Sequence, residues 1–433
     1  MFLTERISLY RHLLPLCFGV VLSQIYSTVF FIAPIFWLTG FHIPGMFFFL
    51  VIFFSIFRLC IKYTTSQNFV ICLCTYLIFI MTLTFTPIAS GGFLSSDSFN
   101  ASVRLAILGS ILFFSIFTIV PRSVMLSVYW WHVLLVTSVT ILTYGLMLFM
   151  GVEHFIAWSD KVMISITGRD DILWNTSLGT TLGDNFLRLA PPGLNSNNAG
   201  YSGVLGIILA SSLIRSKSYV GSRYILLRFC QGISLLLVLG TFSRQSYLSL
   251  TLIFLVQIFL ANLTFARKLL FFIVCSVLIG AIWIYVPVVL ERFLEPFRQL
   301  LGYDAGMTIS TSDRFGSLAG SLDLVVTNPW GIDILTYKGM LQGMSREHNL
   351  VLSTAVTHGL PTAFMLFAPM IFCFIWWAKL GVRYGFGKGL QTSSELLAVL
   401  VVMLFFLPAI AVYVPVVVLL HNSLRAHEVQ ARL

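Results

Sequence analysis

Residues 225–261, ILLRFCQGISLLLVLGTFSRQSYLSLTLIFLVQIFLA, form a long apolar run with a polar knot, TFSRQS, at its middle. A helix needs about 20 residues to cross a bilayer core of about 30 Å. This stretch is therefore long enough for two crossings and must turn between them, and the knot marks the turn. The next run, 269–290, LLFFIVCSVLIGAIWIYVPVVL, contains no charge. Runs of this kind exclude a transmembrane β-barrel, whose strands read as alternating segments of about ten residues. The whole chain agrees: its 433 residues are 58% hydrophobic and only 10% charged, whereas soluble domains are nearer half apolar and a quarter charged. A water-soluble globular enzyme is excluded.

Apolar runs separated by charged punctuation predict spans near 13–36, 43–57, 68–88, 104–120, 125–150, 198–214, 224–241, 246–264, 269–289, 350–378 and 394–420. The last run contains Pro408 and Pro415, so the expected total is 11–12 transmembrane helices. The first run starts beyond Arg6 and Arg11 and outlasts a signal-peptide core, which predicts a retained first helix. Residues 1–433 read as a single all-α polytopic transmembrane domain without internal repeats. All seven cysteines lie within apolar runs, as buried small hydrophobes do; neither a disulfide framework nor a metal centre is expected.

The net charge of +10 is mostly topological. With the N-terminus in the cytoplasm, the inner turns collect Arg6, Arg11, Arg58, Lys62, Arg122, Arg215, Lys217, Arg223, Arg228, Arg267, Lys268, Lys379, Arg383 and Lys388. Only Glu5 and Glu395 oppose them, while the outer loops carry more acids than bases. A nucleic-acid partner is not expected. The outer loops about 151–197 and about 290–349 are far longer than the two to eight residues that usually join bundled helices, and long ordered loops tend to carry function.

Four polar clusters stand out. Arg244, in the knot, reads either as a cation snorkelling to headgroups or as an anion clamp; its neighbours Ser243, Gln245 and Ser246 favour the clamp. Arg314 stands beside Ser312 and Asp313, either of which can cap an amphipathic loop helix that Asn328-Pro329 stops. Arginine at a helix N-terminus suits a phosphate, the other reading being a solvated pair with Asp313 or Asp323. His348, in the segment Arg346-Glu347-His348-Asn349, ends the longest outer loop and is the best-placed group for proton transfer near neutral pH. His358 reads instead as a packed helix residue. Arg188 precedes a Pro-Pro-Gly turn and Asn195, Asn197 and Asn198, whose amides suit sugar hydroxyls as well as helix capping. Asp170-Asp171 reads as a solvated pair.

The order of these clusters resembles the O-antigen ligase and O-antigen polymerase (WaaL/Wzy) superfamily of bacterial membrane glycosyltransferases. The resemblance is carried by LNSNNAGYSGVLGIILA (194–210), LGTFSRQSYLSLTLI (239–253), SDRFGSLAGSLDLVVTNPWGI (312–332) and EHNLVLSTAVTHGLPTAFMLF (347–367), within a core of about 188–370. It implies a GT-C-like helical fold in the bacterial inner membrane with its active site facing the periplasm. It also implies a metal-independent, inverting transfer of a glycan from undecaprenyl pyrophosphate to a hydroxyl acceptor. The essential residues of the family fall on Arg244, Arg314 and His348; Arg188, Asn195, Asn197, Asn198, Arg346 and Asn349 are read from the sequence itself as substrate-binding groups. Gln245 departs from the small residue usual after the Ser-Arg pair.

An O-antigen or polysaccharide polymerase is the expected activity, because the long, polar 151–197 loop suits a second anionic lipid-linked substrate. An O-antigen ligase acting on lipid A-core is the alternative, and a lipid-linked oligosaccharide flippase or transporter is the rival from another class. Membrane lipids and a chain-length-regulating co-polymerase are the expected partners beside the undecaprenyl-pyrophosphate-linked glycan, and no cofactor is expected.

Overall fold

The computed structural model describes residues 61–62, 64–89, 96–155, 157–158, 196–216, 221–241, 243–260, 320–333, 336–337, 350–384, 390–406 and 413–430. Among them the protein is all-helical, with α1 (Ser66–Ala89), α2 (Ser96–Phe117), α3 (Arg122–Met150), α4 (Ser196–Ser216), α5 (Ser222–Gly240), α6 (Arg244–Leu260), α7 (Leu350–Tyr384), α8 (Leu390–Phe406) and α9 (Tyr413–Gln430). A short loop helix covers 320–327. Four segments are long and apolar enough to cross a membrane: Gln67–Thr86, Arg122–Met150, Ser222–Gly240 and Leu350–Leu380. The protein is an all-α membrane protein. The expected spans near 13–36, 43–57 and 269–289 lie outside the described residues.

The run 225–261 divides where its polar knot predicted. α5 ends at Gly240 and α6 begins at Arg244. Ser243 caps the new helix: its hydroxyl accepts from the Ser246 N–H at 3.4 Å while its carbonyl accepts from Tyr247 N–H at 3.0 Å. The Tyr247 hydroxyl donates to the Leu239 carbonyl (2.7 Å), pinning α6 to the last turn of α5. α2 starts at Ser96, earlier than the span edge read from hydropathy, because the helix continues through the polar residues at its N-terminal end.

α4 is the central helix, with Val204, Ile208 and Leu213 fully buried. Its packing depends on glycine. A Cβ on Gly203 would lie 2.8 Å from the Ser234 carbonyl oxygen of α5, and one on Gly206 would lie 2.6 Å from the Ser234 hydroxyl. Small residues let helix backbones approach where apolar solvent supplies little drive for association.

At one end of the bundle the Arg215 guanidinium grips Glu395 with two hydrogen bonds, 3.1 and 2.7 Å, and Thr392 at 2.8 Å, joining α4 to α8. Glu395 is fully buried, and a bidentate fork is the geometry that compensates such burial. Both residues fall on one face in the charge assignment above, and the ion pair places them at one end.

The run 394–420 forms two helices. α9 returns to the Arg215 end: Asn422 donates to the Ile116 carbonyl (3.0 Å), Ser423 accepts from Val120 N–H (3.0 Å) and the His427 ring lies 2.7 Å from the Val120 carbonyl. Asn422 also accepts from Trp377 of α7 at 3.2 Å. α8 starts at this end and α9 finishes there, so the two run antiparallel.

Candidate functional site

The opposite end of the bundle collects the motif-bearing turns. Asn197 and Asn198 occupy the first turn of α4, and Arg244 is the first residue of α6. These two starts are in contact. A Cβ on Gly200 would overlap the Ser246 hydroxyl and lie 3.0 Å from that of Thr241, so only glycine lets the beginning of α4 rest on the Thr241–Ser246 turn. Thr241, Ser243, Gln245, Ser246, Ser249 and Tyr201 are all buried here. Gln245, the departure from the resembled pattern, is part of this buried polar layer. Buried hydroxyls and amides are costly in an apolar core, and the Ser246 hydroxyl here has no hydrogen-bond partner among the described residues.

The second contact was not foreseen. The loop helix ends at Asn328, whose N–H donates to the Leu324 carbonyl (2.8 Å), and the Asn328-Pro329-Trp330-Gly331 turn then docks on α7 backbone to backbone. α7 is broken at Gly359, which sits at φ 84, ψ 158. In a straight helix Leu360 N–H would donate to the Val356 carbonyl. Here Leu360 N–H donates to the Pro329 carbonyl (2.8 Å), and the freed Val356 carbonyl accepts from Ile332 N–H (2.9 Å). The broken helical bond is replaced by two bonds to the loop, which answers the need of buried backbone groups for partners.

Glycine is required on both sides. Gly331 has φ 88, and a Cβ there would lie 2.7 Å from the Gly359 nitrogen; one on Gly359 would lie 2.8 Å from the Trp330 carbonyl carbon. Pro361 falls in the first turn of the second half of α7, where its missing N–H is harmless. His358 is buried with Nδ1 2.7 Å from the Thr357 hydroxyl, a packed helix residue as expected.

The loop helix packs on α7 through Val325, Leu352, Ala355 and Val356, a small core that Tyr337 joins, and the Ser321 and Tyr337 hydroxyls lie 3.0 Å apart. The segment following Arg314 and the helix following His348 are therefore joined. Arg188, Asn195, Arg314, Arg346, His348 and Asn349 themselves lie outside the described residues, as do most of the loops about 151–197 and about 290–349. The signal for the interlock was present as two Gly-Pro pairings, NPWG and HGLP, but their partnership is a long-range fact. No protein-family model matches this chain, and no curated protein matches it.

Proposed function

We propose that the protein is a glycosyltransferase of the periplasmic membrane face, with a GT-C-like fold, that moves a glycan from undecaprenyl pyrophosphate to a hydroxyl acceptor, as a polysaccharide polymerase does. Two contacts support this reading best: the start of α4 seated on the Thr241–Ser246 turn, and the NPWG turn docked on α7. These are the segments on which the sequence resemblance rests.

In this reading the acceptor oxygen attacks the anomeric carbon, the bond to the pyrophosphate oxygen breaks, and the hydroxyl proton passes to His348. The departing lipid pyrophosphate carries away the bonding electrons. Arg244 and Arg314 stabilise its growing charge, because guanidiniums pair with phosphate oxygens in a fixed fork and act strongly where water is scarce. General-base assistance by His348 contributes typically 10²–10⁴ in rate. Attack opposite the leaving group inverts the anomeric centre. Arg188, Arg346 and the asparagines at 195, 197, 198 and 349 hold sugar and phosphate.

Purified protein in nanodiscs, given a defined undecaprenyl-pyrophosphate-linked repeat, should release undecaprenyl pyrophosphate and build a ladder of longer chains. Transfer only when lipid A-core is supplied would make it a ligase. Passage of intact lipid-linked repeat between leaflets without pyrophosphate release would overturn the enzyme reading.

A further inference from the structure

The loop helix 320–327 buries one side and leaves a second apolar side uncovered. Val325 and Ser321 face the core on α7, whereas Leu322 and Val326, four residues apart and so on one face, are 53% and 78% exposed. Trp330, in the turn that follows, is 51% exposed. A helix standing in water would carry polar groups there; Asp323 and Thr327 form only a strip beside it.

The length of α7 explains the pattern. Its apolar segment Leu350–Leu380 has 31 residues, about 46 Å of helix against a hydrocarbon core of about 30 Å. The break at Gly359 divides it, and Leu360–Leu380 alone spans about 31 Å. A bilayer boundary at the break, where the NPWG turn docks, matches that length. Beyond it α7 exposes Leu360 and Phe364 near the break and Ile371, Phe372, Ile375 and Trp376 further along. The Pro329–Leu360 hydrogen bond sets the exposed Trp330 turn against exposed Leu360 and Phe364, so the loop-helix patch adjoins the exposed apolar residues of α7. Tryptophans at both ends of one crossing are the usual interfacial anchors.

We propose that the 320–327 helix and NPWG turn form an interfacial foot of the outer loop, with Leu322, Val326 and Trp330 inserted among lipid acyl chains at the bilayer boundary. The occupant of this surface is the bilayer itself. The inference stands on exposure and helix length and is independent of the catalytic reading.

Two measurements on the full chain in nanodiscs test it. Subtracting the fluorescence of Trp330→Phe from that of the unsubstituted protein isolates Trp330 emission, which should lose most of its intensity in phospholipid brominated on the acyl chains and little to aqueous iodide. A photoreactive benzoylphenylalanine at Val326 should crosslink to labelled phospholipid, which keeps the test decisive if Trp330→Phe fails to fold. Quenching by iodide but not by bromolipid, or crosslinks from 326 only to protein, whether this chain or a second copy, would overturn the proposal.

Discussion

Gly359→Ala tests the interlock between the NPWG turn and α7. The backbone conformation at φ 84, ψ 158 belongs almost solely to glycine, and a side chain there costs about 1–3 kcal/mol. The added Cβ would also stand 2.8 Å from the Trp330 carbonyl carbon, a backbone atom that cannot swing aside, so the turn must lift away. Lifting breaks the Leu360–Pro329 and Ile332–Val356 hydrogen bonds, each worth about 0.5–1.5 kcal/mol net. Together these effects amount to about 2–6 kcal/mol of local stability, which is at least a roughly thirtyfold rise in the opening equilibrium. Hydrogen–deuterium exchange in nanodiscs reads this directly as faster exchange in peptides covering 328–333 and 356–361. Gly232→Ala is the control: it lies in α5 with open space around the new methyl and should be neutral or stabilising by up to about 1 kcal/mol. Exchange of both segments unchanged in Gly359→Ala would refute the interlock.

Other outcomes follow from the same structure. Glu395→Gln leaves the Arg215 guanidinium facing a neutral group and should lower thermal stability by about 3–5 kcal/mol, while the double change Arg215→Met, Glu395→Met recovers most of the loss in a detergent melting assay. Asn422→Ala removes the acceptor of Trp377 and the donor to Ile116 and should cost about 2–4 kcal/mol in the same assay, loosening α9 from α2 and α7. On the catalytic reading, Arg244→Ala, Arg314→Ala and His348→Ala each abolish glycan transfer at normal expression. Arg244→Lys is also impaired, since an ammonium lacks the guanidinium fork; full activity of His348→Ala would remove the proton-transfer role.

Several features are legible in the sequence alone. The split of 225–261 at TFSRQS was legible because a polar knot within two span-lengths of apolar residues leaves no alternative to a turn. The end of the loop helix at Asn328 was legible because the residue before a proline is disfavoured in the helical region. Arg215 and Glu395 could be assigned to one face by the charge rule, but their pairing required α4 and α8, far apart in the chain, to be neighbours. The final run kept two readings, and hydrogen bonds from Asn422, Ser423 and His427 to the α2–α3 region decided for a returning α9.

Local properties of the chain therefore mark helices such as α5 and α6 and the turn between them, since hydropathy, capping and proline act within a few residues. They also nominate the polar clusters, because charged and amide groups in an apolar chain are conspicuous. Only the folded bundle decided which clusters meet. The fit of Gly200 on Ser246 and of Gly331 on Gly359 depends on backbones approaching closely enough that a single methyl group would collide. That distance is set by packing between segments remote in sequence, and the pattern of one segment does not contain it.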